Sequence, residues 1–229
     1  MPNMESFILN VEPGRVFDIN DIIKSYKNNT VSRNYITVVL SKLYKEKKVS
    51  KTINGKYYIP KKGIILPLPV SKEEDIIQRY ITNGNSIYGV FSGYRVLNKW
   101  GLSQQYAAQK EVVTNNVNIR NYDMKKLNAK IRKAKFKITK QNYQIAELFE
   151  VLKTYDKLNT NENINKIEMQ IAKYINNNFT NREKVELAYY LYNYESKATE
   201  NRFMKIHDYL DEIVKTTIDI YREDQNETT

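Results

Sequence analysis

The chain has 229 residues, 41% of them hydrophobic, and carries 37 Lys/Arg against 26 Asp/Glu for a net charge of +11. That length suits one large domain or two to three small ones, and no apolar run approaches the roughly 18–20 residues of a membrane-spanning helix. Without cysteine, disulfides and thiolate metal sites are excluded, and with no basic-apolar leader in "MPNMESFILNVEPGR" the expected location is cytoplasmic.

Residues 4–10, with Phe7, Ile8 and Leu9, suggest a short first helix, broken by Pro13 and Gly14 in "EPGRVF". In "FDINDIIKSY", Asp18 is a good N-cap and Asp21 places negative charge in the first turn. Ile19, Ile22, Ile23 and Tyr26 then fall at helical spacing, which predicts a second helix over 19–26. After the turn "KNNT", Ser32 caps a third helix. Its stripe is Ile36, Val39, Leu40 and Leu43, with Arg33, Asn34, Thr37 and Ser41 on the opposite side. "KKVSKTI" and "KYYIP" alternate across Asn54-Gly55, a dipeptide suited to a two-residue type I′ hairpin turn. Three helices and a two-stranded wing in about 60 residues follow the plan of a winged helix-turn-helix, whose third helix enters the major groove N-terminal residues first.

"KKGIILPLPVS" reads as a linker or leading strand. Residues 72–81 look helical, with "KEED" charging the first turn, and "NGNS" is a turn. "SIYGVFSGYRVLNKWG" suggests a short helix carrying Val90, Phe91, Tyr94, Leu97 and Trp100, closed by Gly101. A strand is expected around Glu111–Thr114. "AKIRKAKFKIT" predicts another, with Ala134, Phe136 and Ile138 on an apolar face and Lys133, Lys135 and Lys137 on a basic one. "NYQIAELFEVLKTYDKL" returns to helix. Beyond the polar boundary "NTNENIN", 159–165, three helices are expected. Ile167, Ile171 and Ile175 mark one; Val185, Leu187, Ala188, Leu191 and Tyr192 a second; Phe203, Ile206, Tyr209, Leu210 and Ile213 a third.

The expected fold is therefore α+β. A winged helix-turn-helix occupies 1–62, a mixed α/β domain 63–158 and an all-helical region 159–229. Charge follows these limits: 12 Lys/Arg face 5 Asp/Glu in the first, 16 face 8 in the second, and 9 face 13 in the third. The first two segments favour polyanions and the third does not; a solvated basic surface is the alternative reading. No Gly-rich phosphate loop, HExxH or GxSxG is present, and His207 is the sole histidine. No catalytic residue, metal site or cofactor is expected, so the chain does not read as an enzyme; His207 is placed at a surface or rim. Glu73, Glu74 and Asp75 read as helix-start charges.

On the winged-helix reading the partner is double-stranded DNA. Arg33 and Asn34 suit guanine and adenine edges, Thr37 and Ser41 reach base or sugar, and Lys51 and Lys56 on the wing reach phosphate. A winged helix used for protein contacts alone is the competing reading. The basic strand with Lys133, Lys135 and Lys137 is either a surface for nucleic acid or an acidic protein, or lysine protection of a sheet edge.

"SGYRVLNKWGLSQQYAAQKEVVTN", residues 92–115, joins a Ser-Gly, a short helix, a Gly-Leu and a strand ending "VVTN". This resembles the core of the AbiEi-type antitoxins, the antitoxin halves of abortive-infection (type IV) toxin–antitoxin pairs that serve phage defence. "PGRVFDINDI" is similar to the family's opening before its second helix. "VLSKLYKEKKVSKTINGKYYIP" is similar to its third helix and wing. The resemblance covers about residues 4–155; the family often has Gly where this chain has Lys47 or Lys48, and residues 160–229 carry none of these motifs. The resemblance implies a transcriptional repressor that binds inverted repeats in the promoter of its own operon, with a second domain opposing a cognate nucleotidyltransferase-like toxin. It transfers no toxin-facing residue. A stand-alone winged-helix regulator and a protein-binding adaptor remain the alternatives.

Overall fold

The computed structural model describes residues 3–26, 31–53, 55–63, 67–118, 121–155, 158 and 164–227. Its architecture is mixed α+β. The chain divides into two compact units: Met1–Arg79 with Lys125–Leu127, and Tyr80–Met124 with Asn128–Thr229.

The first unit begins with α1 (Met4–Leu9), capped by the Asn3 side chain, which accepts from the Ser6 N–H at 2.8 Å. The chain turns at Gly14, whose φ of +84° favours glycine and whose missing Cβ leaves room for the Lys61 side chain. It then forms β1 (Val16–Phe17). Asp18 closes a capping box with Asp21 and starts α2 (Ile19–Ser25). Ser32 caps α3 (Arg33–Lys45), which buries Ile36, Leu40 and Leu43 completely. β2 (Ser50–Lys51) and β3 (Tyr57–Tyr58) follow, and β1 pairs with β3 to make an antiparallel sheet of order β1-β3-β2. The third strand was not foreseen: Val16–Phe17 has no strand pattern of its own and becomes one by pairing with Tyr57–Tyr58. The helices and sheet close over one core that includes Met4, Ile8, Phe17, Ile22, Val49 and Tyr57.

The hairpin turn also differs from expectation. A two-residue type I′ turn on Asn54-Gly55 would pair residue 53 with 56. The observed register sets Lys51 against Tyr57, and the Thr52 N–H donates to the Lys56 carbonyl at 2.8 Å. Three residues, 53–55, therefore make the loop, with Gly55 at φ +76° as a three-residue hairpin requires. Asn54 itself lies outside the described residues.

α3 ends in a Schellman motif. The Lys48 N–H donates to the Leu43 carbonyl at 2.9 Å and the Lys47 N–H to the Tyr44 carbonyl at 3.1 Å. Lys47 consequently sits at φ +58°, a left-handed conformation that glycine adopts at least cost.

α4 (Lys72–Tyr80) opens with a reciprocal cap: Ser71 Oγ accepts from the Glu74 N–H, and Glu74 accepts from the Ser71 N–H. Asp75 is buried and paired with Arg79, so it serves packing as well as the helix start.

In the second unit, β4 (Thr82–Asn83) and β5 (Ser86–Ile87) form a small hairpin. The expected helix over "SIYGVFSGYRVLNKWG" divides at Gly93, φ +62°, into β6 (Gly89–Ser92) and α5 (Tyr94–Lys99). Val90 and Phe91 are thus strand residues. Gly89 is required: a Cβ there would lie 1.9 Å from the Tyr80 carbonyl oxygen. β7 (Lys110–Thr114), β8 (Asn121–Met124) and β9 (Ala129–Lys133) complete a sheet of order β6-β7-β9-β8, with β7 and β9 parallel and the other pairs antiparallel.

The basic strand is therefore shifted. β9 ends at Lys133, the Ala134 N–H makes a last bond to the Thr114 carbonyl at 2.9 Å, and Lys135–Ile138 then leave the ladder, with Phe136 packed on Tyr190 and Tyr194, ring centroids 4.6 and 5.5 Å away. Because β9 pairs on both sides, its lysines guard no sheet edge.

α6 (Tyr143–Leu152), α7 (Ile164–Asn178), α8 (Asn181–Tyr194), α9 (Lys197–Met204) and α10 (Glu212–Glu227) complete the unit. The third helix expected in the C-terminal region is interrupted: Phe203 belongs to α9, Tyr209 to a short 3-10 turn, and Ile213 to α10. Leu97, Trp100, Phe149 and Leu152 share a core with Ile171, Leu187, Phe203 and Val214, so the C-terminal helices pack with α5 and α6. No helix among the described residues is long and apolar enough to cross a membrane.

One buried ionic network ties this unit together. Glu150 accepts from Ser92 Oγ at 2.6 Å and from Lys153 at 3.1 Å, and pairs with Arg132. Lys153 continues to Glu195 at 2.8 Å, which also receives Lys135 at 2.9 Å. Burial opposes the charge on Glu150, but Lys153, Arg132 and the Ser92 hydroxyl outweigh it and hold the carboxyl below its ordinary range.

Two substitutions test these constraints. Lys47→Gly should raise stability by about 1 kcal/mol by relieving the left-handed backbone; an unchanged or lower denaturant midpoint would count against that strain. Glu150→Gln should cost about 3 kcal/mol, the low end for breaking a buried ion pair, since Arg132 and Lys153 reach solvent. A loss under 0.5 kcal/mol, typical of a surface site, would show that the network is not structural.

Candidate nucleic-acid interface

The buried stripe of α3 decides what the helix shows to solvent. With Ile36, Leu40 and Leu43 inward, the residues half a turn away are Asn34, Val38, Ser41 and Lys45, themselves spaced i, i+4, i+7, i+11. All four are exposed. Val38 is 66% exposed, an apolar side chain in the middle of a polar stripe.

Arg33 and Thr37 flank this stripe, also exposed. Arg33 Nη1 donates to Asn20 Oδ1 at 3.1 Å, which steadies the guanidinium against α2. Thr37 Oγ1 donates to the Arg33 carbonyl at 2.9 Å, which leaves its lone pairs and methyl facing outward. Arg33, Asn34, Thr37 and Ser41 thus lie together on one face, at the N-terminal half of α3.

The lysines of the β2–β3 hairpin behave differently from one another. Lys51 Nζ lies 4.9 Å from the Tyr44 ring centroid and 5.2 Å from that of Tyr57, so aromatic faces hold it beside α3 without neutralising it. Lys56 pairs with Asp18 at 3.2 Å, at the N-cap of α2. At the far end of α3, Lys42 and Lys48 converge on Glu5, at 2.9 and 3.2 Å. The ammonium groups of both lysines lower the Glu5 pKa. These lysines of α3 and the β2–β3 hairpin are therefore of two kinds: Lys42, Lys48 and Lys56 already serve carboxylates, whereas Lys51 and Lys45 project with no carboxylate partner among the described residues. Val38 and Lys45 were not singled out from sequence; the signal available was the i, i+4 relation to Asn34 and Ser41.

Lys133, Lys135 and Lys137 are exposed side chains of the second unit. Lys135 is engaged with Glu195, whereas Lys133 and Lys137 have no carboxylate partner among the described residues. His207, expected at a surface or rim, is only 15% exposed, and its Nε2 lies 3.4 Å from Asp219. Among the described residues, no three His, Asp or Glu side chains cluster as a metal site.

Compared with protein-family models, curated proteins and solved structures, the chain finds no match.

The Asp18–Lys56 pair gives a pH signature. Burial raises the Asp18 pKa, but the N–H groups of Asp21 and Asn20 and the Lys56 ammonium together depress it. A depressed folded-state pKa adds stability above the unfolded value, near pH 4. That contribution fades as pH falls through the folded value. Asp18→Asn keeps an N-cap oxygen and removes the charge. Wild type should unfold at a higher midpoint than this variant at pH 7, and the gap should shrink below about pH 4; a constant gap across pH would contradict the charge assignment.

Proposed function

We propose that the first unit is a winged helix-turn-helix that reads double-stranded DNA, and that the protein is an antitoxin-like repressor of its own operon. One observation carries the reading. The order α1-β1-α2-α3-β2-β3, with its β1-β3-β2 sheet, turns the polar stripe of α3 outward and sets Lys51 beside it.

The chemistry follows from that face. Arg33 and Asn34, in the first turn, carry the donor and acceptor sets that suit guanine and adenine edges in the major groove. Thr37 and Ser41 contact base or sugar. Lys51, held against two tyrosine rings, contacts a flanking phosphate and fixes the register of the helix. Lys56 contributes less than a free lysine, because phosphate must compete with Asp18 for it.

Opposition to a nucleotidyltransferase-like toxin belongs to the second unit in this proposal and rests on the resemblance of residues 92–115. The departure at Lys47 or Lys48 is compatible with the resemblance: one of these two positions where the family often has glycine, Lys47, has the backbone angle that glycine favours.

Base and phosphate roles separate experimentally. Arg33→Ala should weaken binding to the preferred duplex by about 1–3 kcal/mol and relax selectivity at one base position. Lys51→Gln should weaken all duplexes alike and reduce the slope of log K against log salt by about one unit. An Arg33→Ala loss that is equal on all sequences would move Arg33 to the phosphates. An unchanged salt slope would remove Lys51 from the interface.

A further inference from the structure

Val38, at the outward pole of α3, is 66% exposed, more than any other large apolar side chain among the described residues of the first unit. It is β-branched, so it adds nothing to helix propensity over its polar neighbours. It lies half a turn from the buried stripe and contributes nothing to the core. It is flanked along its own face by Asn34 and Ser41, and it borders an open depression with Thr37, Ser41, Lys42, Lys45 and Glu46, the last paired with Lys48 at 2.8 Å. Every other residue of that depression carries a hydrogen-bonding or charged group.

We infer that Val38 reads a thymine: its two methyl groups, at the centre of the outward stripe of α3, pack against the C5-methyl of a thymine in the major groove. This rests on the DNA-binding reading above and adds a base identity to it. The C5-methyl is the one apolar group on the major-groove edge of the four bases, so it is the natural partner of an apolar side chain there. The neighbours favour the same assignment. Asn34, one turn earlier on the stripe, suits the adenine edge, so adjacent positions on the helix read adenine and thymine. Val38 cannot hydrogen-bond, so it discriminates through the methyl contact alone: guanine, cytosine and adenine offer no apolar group at the major-groove edge.

The test modifies the DNA and the protein separately. The shortest duplex from the upstream region of the gene that the full chain binds selectively is found first. Each thymine is then replaced, one at a time, by deoxyuridine, which lacks only the methyl group. Binding is read by fluorescence anisotropy with wild type and with Val38→Ala. At least one replacement should weaken wild type about fourfold, the value of one buried methyl group. Val38→Ala should bind the unmodified duplex about fourfold more weakly and should be indifferent to that same replacement. Alanine at an exposed helical position favours the helix, so loss of fold is not at issue, and far-ultraviolet circular dichroism verifies it.

If no replacement affects wild type, or if Val38→Ala remains as sensitive as wild type at the sensitive thymine, the thymine assignment is overturned while DNA binding stands. If wild type binds no duplex selectively, the DNA-binding reading fails and the assignment fails with it.

Discussion

Burial of Ile36, Leu40 and Leu43 governs the first unit. Those three side chains are fully inaccessible and meet Met4 and Ile8 from α1, Ile22 from α2, and Phe17 and Tyr57 from the sheet. Burying each is worth about 1.5–3 kcal/mol, far more than any surface pair on the same helix. The rotation of α3 about its axis is therefore fixed by the core, and the outward stripe of Asn34, Val38, Ser41 and Lys45 is a consequence. Side chains that read a ligand gain specificity when their backbone has one orientation, and here the core sets it. The caps add to the same end. Ser32 starts the helix, the Schellman motif stops it, and the price of that stop is the left-handed Lys47.

The second unit has a different economy of charge. Glu150 and Glu195 have side chains at most 4% exposed, and three cations from β9, the segment that follows it and the C-cap of α6 converge on them. Three of the sixteen Lys/Arg of residues 63–158, Arg132, Lys135 and Lys153, are thus matched to buried carboxylates. Net charge counted along a sequence overstates what a surface offers when carboxylates are buried beneath it. The same distinction separates Lys51 from Lys56 in the first unit: one is cradled by aromatic rings and keeps its charge available, the other is matched to Asp18.

Features governed by local periodicity and capping were legible in the sequence. The α+β class, the three N-terminal helices, the Ser32 and Asp18 caps and the strand at 110–114 all follow from neighbours within a few residues. Features made by distant pairing were not. Val16–Phe17 is a strand because Tyr57–Tyr58 lies beside it. Alternation in "AKIRKAKFKIT" runs past the end of β9, since Lys135–Ile138 turn away and Phe136 packs, half-buried, against tyrosines of α8. The hairpin loop took three residues instead of two because register, set by the Tyr57 and Tyr58 pairs with both strands, prevailed over the local preference of Asn-Gly. Of the candidate site, the polar residues of α3 were legible by type. Val38 was not, because an apolar residue in a helix reads as core until the direction of the buried stripe is known.

The central claim is that the outward face of α3 reads DNA. Its most direct test is the affinity of the purified wild-type chain for the duplex upstream of its own gene, against a scrambled duplex of equal length and composition, across a salt series. The account predicts tighter binding to the native duplex at every salt concentration, with both affinities falling linearly in log salt. Equal affinity for the two duplexes, or no binding to either, would contradict it.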